Sequence, residues 1–190
     1  MKQTKLIKQM LWLGLLVPGM AFAHPGHSGN VLAGMAHPFT GLDHLMTMLA
    51  VGMWTALSVS AKRHWVPAGF IAGLALGALA GIYLPAPGMS AASESMIAAS
   101  MLAMPLLLAA LLRLPLASMG AAAGFVALWH GYAHGVEMPA GAQPLSFMLG
   151  MLAASAALLA IGYAVGRLAQ SRLRWLGAAM ALFSAVWLAV

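Results

Sequence analysis

Six long apolar stretches dominate the sequence, separated by short breaks rich in proline, glycine or charge. Each stretch approaches the length of about 20 residues that a helix needs to cross a bilayer. Proline is tolerated at a helix start, where N–H groups lack partners, and Pro38, Pro67 and Pro115 stand at such positions. The pattern predicts an all-α polytopic membrane protein with six spans, at residues 38–58, 66–84, 92–112, 116–137, 145–166 and 174–190.

The first 23 residues have the pattern of a secretory signal peptide rather than of a span. Three lysines occur in the first eight positions, and the apolar segment 10–17 that follows is too short to cross a bilayer. Ala21-Phe22-Ala23 has the small-x-small pattern of a cleavage site. We therefore expect a cleaved signal peptide at 1–23 and a single transmembrane domain at 24–190. An uncleaved N-terminal anchor is the alternative.

The positive charges orient the predicted spans. Beyond the expected signal peptide, every lysine and arginine falls in alternate breaks or, for Arg174, directly beside one, and the positive-inside rule assigns these breaks to the cytoplasm. This predicts a multi-pass protein of the bacterial inner (cytoplasmic) membrane, with both mature termini on the outer, periplasmic side. The breaks expected inside are 59–65, 113–115 and 167–173, and those expected outside are 24–37, 85–91 and 138–144.

The second predicted span carries glycine at every fourth position, at Gly69, Gly73, Gly77 and Gly81. Residues four apart share one face of a helix, and a face without side chains lets a neighbouring backbone approach closely. The stripe therefore predicts a compact six-transmembrane-helix bundle with glycine-mediated helix packing.

Composition narrows the possible functions. Charged residues make up 6% of the chain and hydrophobic ones 63%, whereas a soluble domain has roughly 25% charged residues. This excludes a soluble enzyme, a disordered protein and a nucleic-acid binder. The breaks are too short to hold a nucleotide-binding domain, so we expect no nucleotide among the ligands. The lipid bilayer is an obligatory partner, and a homo-oligomer is possible.

Ionisable side chains concentrate near the outer ends of the predicted spans. The chain has only three carboxylates, Asp43, Glu94 and Glu137, and each lies within or at the edge of a span. Six of the seven histidines also lie on the outer side, and only His64 falls in a cytoplasmic break. Such groups are costly in lipid, and they mark functional sites.

His37 directly precedes the first predicted span, and Asp43 and His44 lie near the outer end of that span. Seven residues separate the two histidines, so one continuous helix would bring them to nearly the same face. Asp43 lies beside that face, where it can bind an ion directly or hold an imidazole in place. We expect these three side chains to belong to one polar site.

The fourth predicted span ends with His130, His134 and Glu137. Histidines four apart share a helix face, and Glu137 follows three residues later, so adjacent turns can converge on one ion. Both groups of residues lie on the order of 10 Å below the outer surface. They therefore meet in one layer if their helices are neighbours, with Glu94 slightly above it.

The donor set indicates the class of metal. Imidazole and carboxylate without thiolate suit Ni, Co, Zn and Cu rather than Mg or Ca, and the sequence has no cysteine. The alternative is hydrogen bonding between helices, with Asp43 as the acceptor for a buried histidine. We favour metal or proton handling, because so many ionisable groups are rarely tolerated at one depth in lipid.

Two weaker features bear on metal binding. After cleavage, the new amino group and the imidazole of His24 can chelate a divalent ion, with His27 nearby; a loose polar leader is the alternative. Sixteen methionines offer thioethers that favour Cu(I), although methionine is also a common filler of apolar interiors.

The polar segments resemble the signatures of a known family. The segment 37–44, HPFTGLDH, with the run MLAVGMW that follows it, is similar to the first-helix signature of the HupE/UreJ family. The segment 129–137, WHGYAHGVE, resembles the second signature, with Trp129 where the family pattern has Phe. The E-x-x-I-x-x-S pattern that begins at Glu94 resembles the family's third-helix pattern.

This resemblance implies a secondary permease for nickel, and in some members cobalt, that supplies hydrogenase or urease maturation. It implies no enzymatic activity and no prosthetic group, with Ni²⁺ or Co²⁺ as the cargo. We expect His24 and His27 to capture the ion outside. The resemblance assigns the transport site to His37, Asp43, His44, His130, His134 and Glu137.

Two other classes remain as alternatives at this point. An intramembrane zinc hydrolase would hold its metal by three ligands and a water, with Asp43 or Glu137 as the general base. A copper carrier or assembly factor would use the methionines as ligands.

Overall fold

The structure is a computed structural model that describes residues 30–138 and 143–189, and these residues form helices without any strand. The expected signal peptide, with His24 and His27, lies outside the described residues. A short 3₁₀ turn at Gln170–Arg172 precedes the last helix. The α-helices are α1 (Val31–Thr40), α2 (Leu42–Thr55), α3 (Trp65–Tyr83), α4 (Met89–Ala109), α5 (Leu116–Val136), α6 (Pro144–Leu168) and α7 (Leu173–Ala189).

Three of these helices, α3, α4 and α6, are long and apolar enough to cross a membrane. Helix α5 has 21 residues, whereas α2 has 14 and α7 has 17. The all-helical class predicted from the sequence is therefore confirmed for the described residues. That the chain crosses the membrane six times stays a prediction.

The prediction of one helix starting at Pro38 is wrong. Helix α1 already begins at Val31, because the side chain of Asn30 accepts a hydrogen bond from the N–H of Ala33 at 3.0 Å and caps it. Pro38 lies inside α1, where its missing N–H weakens the last turn. The chain is extended at Gly41 (φ −92°, ψ 119°), and α2 starts anew at the next residue. The first predicted span thus contains parts of two helices.

Helices α3 and α5 form the most extensive contact in the bundle, and the glycine stripe lies within it. A Cβ atom at Gly73 would overlap the carbonyl oxygen of Gly124, and one at Gly77 would overlap that of Leu128. The same holds in the other direction, since a Cβ atom at Gly131 of α5 would overlap the carbonyl oxygen of Leu74 in α3. The two backbones are therefore in direct contact, as the four-residue spacing predicts.

Helix α2 is the centre of the bundle, since it contacts each of the other six helices. Helix α6 packs against α2 in the same way, because Gly52 of α2 and Gly162 of α6 each lie against the backbone of the other helix. Near its end, the buried indole of Trp54 donates a hydrogen bond to the carbonyl of Leu112 at 2.8 Å, beyond the end of α4. A short helix with a polar first turn thus lies at the middle of the bundle, in contact with every other helix.

We expect Gly77→Val to destabilise the bundle, because its branched side chain would separate α3 from α5. Overpacking of this kind costs about 1–3 kcal/mol or more. Thermal unfolding of the purified protein in detergent measures the effect. The control is Leu76→Phe, which adds volume at an exposed position of the same helix. Equal unfolding midpoints in the two variants would show that the close contact contributes no stability.

Candidate metal centre

Three histidines from three helices converge where α1 ends, α2 begins and α5 ends. His37 lies near the end of α1, His44 in the first turn of α2, and His134 in the last turn of α5. The ring centroids are 5.2 Å apart for His37 and His44, and 4.4 Å apart for His37 and His134. The break at Gly41 brings the His37 and His44 rings together, because the chain changes direction between them.

Asp43 fixes the orientation of the His44 ring. Its Oδ1 accepts hydrogen bonds from the backbone N–H of His44 at 2.8 Å and from Nδ1 of the same residue at 2.9 Å. With the proton on Nδ1, the Nε2 atom of His44 presents a lone pair, as it does in carboxylate–histidine–metal arrangements. This Nε2 atom faces Nε2 of His134 at 2.6 Å.

The three rings are close to the spacing that a shared ion requires. Their nearest ligand nitrogens all lie within 4.8 Å of one another. Two imidazole nitrogens that each lie 2.0–2.1 Å from one ion are at most about 4.2 Å apart. Adjustments of less than an ångström would therefore bring His37, His44 and His134 into one coordination shell. Neutral imidazoles suit the borderline divalent ions rather than Mg or Ca.

A cavity of about 470 Å³ adjoins this cluster, and all three carboxylates of the chain line it. Asp43 is one-third exposed, while Glu94 and Glu137 are exposed at the ends of α4 and α5. Carboxylates concentrated in one cavity attract cations and raise their local concentration. The structure thus brings Glu94 and Glu137 to the same cavity as the histidine cluster.

His130 is separate from the three-histidine cluster. It lies one turn before His134 in α5, fully buried, with its ring 4.8 Å from that of His44. Its Nδ1 is 3.1 Å from the carbonyl oxygen of Val126, and its Nε2 has no hydrogen-bond partner among the described residues. A buried polar atom without a partner is unusual. His130 therefore lies next to the three clustered histidines, and its membership of the metal site stays a prediction.

Sequence reasoning missed the role of Gly41 in this site. A Cβ atom there would lie 2.7 Å from Oδ1 of Asp43 and 3.1 Å from Nδ1 of His44, so a larger residue would displace the Asp43 carboxylate from its present position. An isolated glycine inside an apolar pattern is the signal that could have indicated a break. Trp187 of α7 also lines the cavity, and no local pattern indicates it.

Comparison with known proteins identifies the family. The family model described as "HupE / UreJ protein" matches residues 11–188.

This chain belongs to the HupE/UreJ family.

The chain is 35% identical over 195 residues to "Protein HupE" of Rhizobium leguminosarum bv. viciae, with 99% of each chain covered. No solved structure matches it. HupE/UreJ proteins are membrane permease and accessory proteins, not enzymes, and are associated with nickel or cobalt transport for hydrogenase or urease. The resemblance noted in the sequence is thereby confirmed. The intramembrane hydrolase alternative is wrong.

We expect Asp43→Asn to weaken metal binding by about 10–100-fold, the usual effect of losing a carboxylate that orients a ligating histidine. Calorimetric titration of the purified protein with Ni²⁺ measures it. Glu94→Gln is the matched control, because it removes a carboxylate from the same cavity that forms no hydrogen bond to a histidine. Equal losses in both variants would mean that Asp43 acts only through its charge.

Proposed function

We propose that this HupE/UreJ protein is a secondary permease that imports Ni²⁺, or Co²⁺, across the inner membrane for metalloenzyme maturation. The observation that carries the proposal is the contact of the Asp43-oriented His44 ring with His134, beside a cavity lined by every carboxylate of the chain. The family association with nickel and cobalt supports it. The metal is the cargo of the protein.

The proposal assigns successive roles to the polar residues. His24 and His27 capture the ion outside, and Glu94 and Glu137 attract it to the cavity. His37, His44 and His134 replace part of its water shell, because imidazole is a better ligand than water for these ions.

His130 is the next position on the route. Its unpartnered Nε2 supports this role, since a buried lone pair without a donor is available to an ion. The four-residue step from His134 to His130 is one helical turn, about 5–6 Å along α5. The ion would thus move from a cluster that adjoins the cavity to a fully buried ligand.

The topology is part of the same proposal. Signal peptide 1–23 is removed, the remaining chain crosses the membrane six times, and both mature termini lie outside. The apolar lengths of α3, α4 and α6 support three of these crossings. No nucleotide is hydrolysed in this mechanism; a metal or ion gradient drives import.

A copper carrier is the second candidate, and one observation favours it. Met101 lines the cavity beside the histidines and offers a thioether to a soft ion. Most other buried methionines, such as Met48 and Met119, pack in the apolar core. We therefore rank copper below nickel.

Metal accumulation tests the function. Cells that express the wild-type chain are exposed to trace Ni, Co, Cu and Zn and analysed by mass spectrometry. We expect a selective gain of Ni or Co that His44→Ala and His134→Ala nearly abolish, because each removes a ligand. His64→Ala, an exposed histidine outside the cluster, is the matched control and should retain the gain. Membrane protein levels are compared in all variants.

Each other outcome of this experiment has a defined meaning. No gain of any metal with the wild-type chain would refute import. A gain unchanged by His44→Ala would refute the site. A copper gain that is lost in Met101→Leu would favour the second candidate.

We expect His130→Ala to separate binding from transport. The three-histidine cluster stays intact, so Ni²⁺ binding to the purified protein should remain near the wild-type value, while accumulation in cells is nearly lost. His134→Ala should lose both. If His130→Ala accumulates metal normally, His130 is a packing residue and not part of the route.

A further inference from the structure

A second cavity lies at the opposite end of α2 from the histidine cluster. Thr55, the last residue of α2, lines it and follows His44 by eleven positions, about 16 Å along a helix. Its volume is about 730 Å³, within the range of about 300–1,000 Å³ typical of ligand sites. None of its lining residues is shared with the first cavity.

The wall of this second cavity is apolar and consists mainly of small side chains. Ala68, Ala72 and Ala75 of α3 face Ala156 and Ala160 of α6 across it. Both helices are long and apolar enough to cross a membrane, and they contact each other far less than α3 contacts α5. A groove of this kind between two spanning helices accommodates a hydrocarbon chain.

The mouth of the cavity is cationic. Arg63 is half-buried there, with its guanidinium carbon 5.8 Å from the centroid of the Tyr163 ring and one N–H donating to the carbonyl of Ser60 at 3.3 Å. Lys62 precedes it and is exposed. All three carboxylates of the chain line the other cavity, so Arg63 forms no ion pair within the described residues. Its remaining N–H donors are available to an anion.

We propose that this second cavity binds an anionic phospholipid, with the phosphate against Arg63 and one acyl chain along the alanine-lined groove. A guanidinium held over an aromatic ring is well suited to a phosphate, and basic residues next to a spanning helix attract anionic lipids. The exposed indole of Trp65 beside the mouth is typical of the membrane interface. A zwitterionic lipid such as phosphatidylcholine would bring its choline cation next to Arg63 and Lys62, and a free phosphate would leave the groove empty.

Lipid binding to the purified protein tests this proposal. Native mass spectrometry counts bound phosphatidylglycerol or phosphatidylcholine, and the thermal unfolding midpoint reports stabilisation by each lipid. We expect one phosphatidylglycerol to bind more tightly than phosphatidylcholine and to raise the midpoint. Arg63→Gln should weaken its binding at least about fivefold. Arg113→Gln, an exposed arginine outside the cavity, should not.

A second pair of variants tests the groove. Ala156→Phe would fill it, whereas Ala157→Phe adds the same side chain at the neighbouring exposed position, which does not line the cavity. Only the first variant should lose phosphatidylglycerol. Equal binding by both would overturn the location of the site. If Ala156→Phe does not fold, the Arg63→Gln result decides.

Two controls decide the chemistry of the ligand. Equal binding of phosphatidylcholine and phosphatidylglycerol would overturn the preference for an anionic lipid. Equal protection by soluble glycerol phosphate would reduce the site to a phosphate site and overturn the role of the groove. None of these measurements depends on metal transport, so failure here and failure of the proposed permease are distinguishable.

Discussion

Oδ1 of Asp43 accepts two hydrogen bonds from the residue that follows it, one from the backbone and one from the ring of His44. The geometry of the candidate metal centre depends on this pair of contacts. The backbone contact satisfies an N–H in the first turn of α2, which has no side-chain cap from Gly41. The ring contact orients His44, whose ring centroid lies 5.2 Å from that of His37, 4.8 Å from that of His130 and 4.7 Å from that of His134. A side chain at position 41 would occupy the same space, so the backbone break and the site geometry are one feature.

The packing of the bundle supports that geometry from two sides. Helix α5 carries His130 and His134 and is held mainly by α3, whereas α2 is held mainly by α6. Direct contact between α2 and α5 is slight, and α4 bridges them. The histidine rings themselves therefore make an important part of the contact between these two helices. Glycines bring the backbones of α3 and α5, and those of α2 and α6, into direct contact. This close packing restricts the movement of the histidine rings between α2 and α5.

The sequence predicted the members of the site better than their geometry. Motif spacing correctly grouped His37 with His44, but the reason was wrong, because the two lie on different helices and a break joins them. The helix start predicted at Pro38 was wrong because Asn30 caps a helix that already begins at Val31. The burial of His130 and the contribution of Trp187 depend on which helices become neighbours. No local periodicity contains that information.

The break at Gly41 also places the start of a helix beside the histidines. A helix N-terminus carries about half a positive charge, which stabilises the carboxylate of Asp43 but opposes a divalent cation at the same place. This repulsion would weaken the binding of a metal ion that is held permanently as a cofactor. Repulsion of this kind suits an ion that is transported, because transport requires binding that is strong enough to admit the ion and weak enough to release it. In the proposed permease, the start of α2 would therefore shorten the time that the ion stays bound and favour release over storage.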